Sequence, residues 1–195
     1  MTKNEIEKIN TVFSAIIGQP LRDFARSGDM LFIDFGELVE VNAFKIADGG
    51  GLTRDENGNP IPIKRMRGEY GIDSMCSMRF TCGADVVFAK SDIFIPTEAL
   101  AHSENYNGGD FDWHIQGNTL FDELLNRHFH GDFSEYIVKS VKVGRFGDLT
   151  ITFENDFVLE FFADGSGYSE NWRFGETKST DSLIVTSMGI IDESH

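Results

Sequence analysis

Arg145-Phe146-Gly147-Asp148-Leu149 repeats, with small changes, an earlier stretch, Arg26-Ser27-Gly28-Asp29-Met30. Downstream, Asn171-Trp172-Arg173-Phe174 repeats Ser77-Met78-Arg79-Phe80. In each copy an Arg-x-Gly-Asp turn comes first, a β-rich stretch follows, and a strand reading apolar-Arg-Phe closes the unit. Two signatures kept in order across two halves indicate an internal duplication, and a duplicated β segment builds a pseudo-symmetric scaffold.

Around the second copy, Ile137/Val141/Val143, Leu149/Ile151/Phe153 and Phe157/Leu159/Phe161 alternate with polar neighbours. Turns at Gly144–Asp148 and Asn155-Asp156 make these runs an antiparallel meander, extended by Trp172–Phe174 and Leu183–Val185. The matching pieces of the first copy are Leu21–Phe24, Met30–Phe35, Tyr70–Phe80 and Val86–Phe88. Tyr70, Ile72, Cys76, Met78 and Phe80 share one face of the third piece. Thr2-Lys3-Asn4-Glu5 has the form of a capping box, and Ile6, Ile9, Val12, Phe13, Ile16 and Ile17 follow at helical spacing until Gly18. The spacing predicts a helix over Lys3–Ile17. A second is predicted at Thr119–Phe129, capped by Asn118 and closed by Gly131.

The expected fold is therefore α+β: two duplicated antiparallel β-meander halves, each contributing a twisted antiparallel sheet, with two packed helices. One domain spans 1–195, with a first half over about 18–96, a linker and helix over 97–133, and a second half over about 134–191. The halves differ by an insertion at 36–69, which contains Gly49-Gly50-Gly51, Asn57-Gly58-Asn59, Pro60 and Pro62. A structureless loop of that length is unusual in a compact domain. Leu38–Ile46 and Ile61–Arg67 instead predict a β-arm, with the prolines confining it to an edge. Lys64, Arg65 and Arg67 at its base form the densest basic cluster, and an arm of opposite charge is a candidate for gripping a second subunit in a homodimer.

The charge is −15, from 17 Lys+Arg against 32 Asp+Glu. A field of that sign repels phosphate backbones and argues against nucleic acid, while steering a basic protein partner inward. The 18 phenylalanines supply a large core without metals or disulfides. The N-terminus lacks the apolar run of a signal peptide, no stretch has the length of a membrane span, and Cys76 and Cys82 form no disulfide framework. A cytoplasmic protein without membrane contact is expected.

Few residues carry chemistry. Were Asp110-Phe111-Asp112-Trp113-His114 extended, Asp110, Asp112 and His114 would share one face, with Phe111, Trp113 and Ile115 on the other. Two carboxylates and an imidazole, joined by His128 and His130, are the candidate metal ligands, with a solvated polar face as the alternative. Asp55-Glu56-Asn57-Gly58-Asn59 fails as a calcium loop, because Pro60 and Met66 stand where Gly and Glu are needed. Asp48-Gly49-Gly50-Gly51 lacks the Lys-Ser/Thr of a phosphate loop. Cys76 reads as an inert core thiol, and nothing local marks a histidine partner for Cys82. Arg79 and Arg173 alternate with large apolar residues and call for carboxylates, for which Asp29 and Asp148 are candidates. These four residues, with Trp113 and Trp172, are assigned to the scaffold. No cofactor is implied.

Several blocks carry a resemblance: Arg79-Phe80 followed by Ser91-Asp92-Ile93-Phe94-Ile95-Pro96, then Phe111-Asp112-Trp113-His114-Ile115-Gln116-Gly117-Asn118-Thr119-Leu120-Phe121-Asp122, Gly147-Asp148-Leu149-Thr150-Ile151, and Trp172-Arg173-Phe174. In these the chain resembles a group of uncharacterised bacterial cytoplasmic proteins with two β-rich repeats, over most of 16–190 apart from the insertion. His114 departs from the acidic residue expected there. In size and charge such proteins are similar to immunity proteins that neutralise toxins. The resemblance implies a non-catalytic, acidic protein-binding module; a metal-dependent hydrolase or a small-ligand binder is the alternative.

Overall fold

A computed structural model describes residues 1–46, 51–103, 106–109 and 111–192. Among the described residues, three α-helices, α1 (Lys3–Phe13), α2 (Glu98–Ala101) and α3 (Leu120–Phe129), accompany eleven strands. The strands are β1 (Leu21–Ser27), β2 (Met30–Phe44), β3 (Pro62–Ser74), β4 (Ser77–Cys82), β5 (Asp85–Ala89), β6 (Val138–Val143), β7 (Leu149–Phe153), β8 (Phe157–Phe162), β9 (Glu170–Glu176), β10 (Ser182–Thr186) and β11 (Gly189–Asp192). Two antiparallel sheets result, ordered β1-β2-β3-β9-β10-β11 and β5-β4-β8-β7-β6. The fold is α+β, and among the described residues no helix is long and apolar enough to cross a membrane.

Helix, three-strand meander and hairpin run twice along the chain: α1 with β1–β5, then α3 with β6–β10. Each meander is completed by the other unit's hairpin, through β3 against β9 and β8 against β4. Each sheet thus draws strands from both halves. The cause lies in Tyr70–Phe80, which reads as one strand but breaks at Met75-Cys76. There the chain leaves one sheet for the other, and both amides donate to the carbonyl of Asn171. The second crossing, 163–169, touches the first where the Ser77 hydroxyl donates to Asp164 at 2.5 Å.

The helices are exchanged as well. Phe13 of α1 stacks on Phe174 at 4.2 Å and meets Trp172 edge-on at 5.6 Å. Phe129 and Phe121 of α3 meet Phe80 and Phe88 at 5.5 and 5.4 Å. Both helices begin at a capping box, on Thr2 with Glu5 and on Thr119 with Asp122. The cap of α3 is Thr119 rather than Asn118, because its hydroxyl accepts from the Asp122 amide. Helix α1 ends at Phe13 and tightens into a 3-10 turn over Ser14–Ile16.

The repeated turns join β1 to β2 and β6 to β7, and each meets the start of the other unit's helix. Arg26 reaches the first turn of α3, while the carbonyl of Arg145 accepts from the N-terminal amine ahead of α1 at 2.9 Å. Ile33, Phe35, Ile72, Phe80, Ile151, Phe153, Leu159, Phe161 and Trp172 are fully buried in one continuous core.

Candidate functional site

β2 and β3 extend beyond the body of the six-stranded sheet as a hairpin arm, Leu38–Phe44 against Pro62–Gly68. The register slips between Phe35 and Leu38, and a bulge of this kind bends a ladder. A Cβ at Gly68 would lie 2.6 Å from the Phe35 carbonyl oxygen, so the bend needs glycine there. Ile46 and Gly51 near the tip line the same cavity as Asp23, Phe32, Asp34 and Gln116, so the arm arches over the outer face of the sheet. The cavity holds about 600 Å³.

Its floor is charged. Asp34 is 2 % exposed and accepts from Arg67 through Nε at 3.0 Å and Nη2 at 2.5 Å, and from the Gly68 amide at 3.2 Å. Asp23 stands beside it across the β1–β2 ladder, with Arg65 at 3.6 Å. Burial, then the neighbouring charge of Asp34, pushes the Asp23 carboxyl up. Burial raises Asp73 too, on the far side of Arg67. Carboxylates short of solvent in a walled cleft favour a ligand that brings its own cation and hydrogen-bond donors. Lys64, the third member of the basic cluster, pairs with Glu40 at 2.9 Å. Each cation at the base of the arm therefore already meets a carboxylate of its own chain.

Exposed carboxylates collect at one end of the five-stranded sheet. Cys82 opposite Phe157 sets the turn before Asp85 next to Glu154 and Asp156. The Glu154 amide donates to the Ile137 carbonyl, which brings up the segment carrying Asp132 and Glu135. All five side chains lie on exposed residues.

A clasp that composition did not reveal holds residues 111–122. Arg26, 3 % exposed, donates to both oxygens of Asp122 at 2.7 and 2.6 Å and to the carbonyls of Trp113 and Ile115 at 2.8 and 3.0 Å. Gly117 and Thr119 also donate to Asp122, and Gln116 donates back to the Arg26 carbonyl. Burial opposes ionisation of Asp122, but the hydrogen bonds from Arg26 and Thr119 hold its carboxyl below the usual range. The block Phe111–Asp122 thus forms a folded strap. Repetition of the Arg-x-Gly-Asp turn was the available signal for Arg26; the partner sits 96 residues away.

The metal candidates fall apart. Asp110 lies outside the described residues. Residues 111–118 form turns instead of an extended strand, so alternation does not operate there. Asp112 accepts from His114 at 2.9 Å, and both are exposed. His128 bonds the Tyr136 hydroxyl at 2.7 Å among Phe80, Phe129 and Phe157, and burial lowers its pKa. His130 is the left-handed end of α3. Among the described residues, no three His, Cys, Asp or Glu side chains are placed to hold a metal ion. Asp48, Gly49 and Gly50 also lie outside the described residues. The Asp55 side chain accepts from the Asn57 and Asn59 amides within a turn.

Of the residues assigned to the scaffold, Arg79 and Arg173 occupy equivalent strands. Their carboxylates are Glu160 at 2.6 Å and Glu170 at 2.7 and 2.6 Å, which corrects the pairing with Asp29 and Asp148. Asp29 lies 3.8 Å from Lys90, and Asp148 accepts from the Ala163 amide. Trp172 is fully buried, its Nε1 donating to the Gly147 carbonyl at 2.8 Å. Trp113 is half-buried against Phe94. Cys76 is buried beside Ser74, and burial pushes its thiol up.

No family model matches the chain, and neither does any curated protein or solved structure. The functional reading rests on the chemistry of these residues.

Proposed function

We propose that this chain is a non-catalytic, cytoplasmic binding protein that takes a basic protein partner on its acidic surface, as an immunity protein takes a toxin. One observation carries the reading. Among the described residues, at least ten of the 17 Lys and Arg side chains form ion pairs within the chain, while carboxylates such as Glu135, Glu154 and Asp156 face solvent. Internal pairing concentrates the negative field outward, where it raises the encounter rate with a basic surface and suppresses acidic ones.

Capture from a native lysate of the producing cells tests it. The expected result is one basic protein, retained in stoichiometric amount, released by salt, and lost when Glu135→Gln, Glu154→Gln and Asp156→Asn are combined. Salt-insensitive association alone, or equal capture by the neutralised variant, would overturn the reading. The cleft under the arm favours a second one, a small cationic ligand over Asp23 and Asp34. A thermal-shift screen with polyamines and amino acids would reveal it as stabilisation that Asp23→Asn removes.

A further inference from the structure

We infer that the Leu38–Phe44 edge of the arm pairs with the same edge of a second copy of this chain, joining two molecules through one antiparallel sheet. The inference is independent of the basic partner and uses a different surface.

Among the described residues, nothing occupies the backbone of that edge. The Lys45 amide donates to the Ile61 carbonyl at 2.9 Å, so odd-numbered residues of this strand turn their polar groups toward β3. Leu38, Glu40, Asn42 and Phe44 therefore turn theirs away. Gly36 is the last such residue to be covered: its amide donates to Pro20 and its carbonyl accepts from Arg22. Past Gly36, no described residue pairs with the edge. Unpaired edges are sites for strand addition, and proteins that avoid it place Lys, Arg or Pro along them.

The two edges of the arm differ in that respect. The β3 edge carries Pro62, Lys64, Arg65 and Arg67, and the Thr177 hydroxyl covers the Gly68 carbonyl. Pairing β3 with itself about Arg65 would oppose two guanidiniums, and Pro62 has no N–H to offer. The β2 edge reads Leu38-Val39-Glu40-Val41-Asn42-Ala43-Phe44, with no Pro, Lys or Arg. Leu38 and Phe44 are 52 % and 51 % exposed.

This edge complements itself. A two-fold axis at Val41 sets Leu38 of one copy opposite Phe44 of the other, and Glu40 opposite Asn42. The outward-turned groups then meet in register, making about eight main-chain hydrogen bonds. No like charges face each other. Charge selects the arm a second time: residues 36–69 hold six acidic and five basic side chains, a net −1 in a chain of −15. Elsewhere two copies repel, and through the arm they can approach. Salt screens the remaining repulsion, so it strengthens the dimer.

Sedimentation equilibrium across protein concentration, at low and high salt, tests the proposal. The expected mass rises from 21.9 kDa toward twice that value, more readily at high salt. Asn42→Pro removes one outward N–H and no hairpin bond, and weakens association tenfold or more, roughly the loss of one or two hydrogen bonds. Met66→Pro makes the same lesion on the opposite edge and leaves association unchanged. Amide exchange at Val39 and Val41 confirms that the arm stays folded in both variants. A monomer under all conditions, a dimer that survives Asn42→Pro, or equal loss in Met66→Pro would each overturn the assignment.

Discussion

Arg26 and Asp122 share one buried set of hydrogen bonds, and the consequences of breaking it are unequal. Asp122→Ala leaves a guanidinium buried with only carbonyl partners, at a cost of about 3–5 kcal/mol in a urea titration. Replacing both, as Arg26→Met with Asp122→Leu, recovers most of that loss, because an apolar pair of similar volume needs no counter-charge. The pH dependence has a definite sign. The carboxyl of Asp122 ionises more readily in the fold than its ordinary value of 3.8. Its contribution is full above that value and disappears as pH falls through the lower folded pKa. The wild type therefore loses stability in this acid window, and Asp122→Ala shows a flatter profile there. The repeat displayed one end of this pair, since Arg26 stands in the Arg-x-Gly-Asp motif. It hid the other, because Asp122 looks like an ordinary first-turn helix acid.

Among the elements, the arm was readable and its curvature was not. Alternating Leu38–Ile46 and Ile61–Arg67 announced two paired strands, and Pro62 announced an edge. The arch depends on a bulge, which adds a residue without altering the apolar pattern. Two glycines record it, Gly36 at a positive φ within the bulge and Gly68 opposite it. Gly68→Ala forces the strands apart at the Phe35 carbonyl, with an expected loss of about 1–3 kcal/mol. Amide exchange should quicken at Val39 and Val41 while Ile151 and Leu159 keep their protection. Helix α3 and the β6–β8 meander were equally legible from period and turns. β11 was missed, because Gly189–Asp192 is short and bounded by weak turn signals. The site residues fared worst. The alternation assumed for Asp110–His114 needs an extended backbone, and the strap around Asp122 supplies turns instead.

For the whole molecule, duplication was visible and exchange was not. Sequence similarity records which strands correspond, whereas the partner of each strand is decided where the chain crosses, at Met75-Cys76 and at 163–169. Neither unit can bury its own apolar face. Residues 1–97 and 98–192, made separately, should each lack the dispersed amide spectrum of a folded domain; made together, they should recover it. A folded fragment on its own would show that the crossings are dispensable.

The same exchange sets the order of events during synthesis. Met78 and Phe80 line up against Phe161 and Leu159, which leave the ribosome some eighty residues later. Until then the nascent β4–β5 hairpin has no seat, and its aromatic stripe is open to chaperones or to a neighbouring nascent chain. The β4–β5 hairpin must wait for β8 before it can pack, and the yield in a cell should follow the supply of holdases more closely than the strength of the finished core.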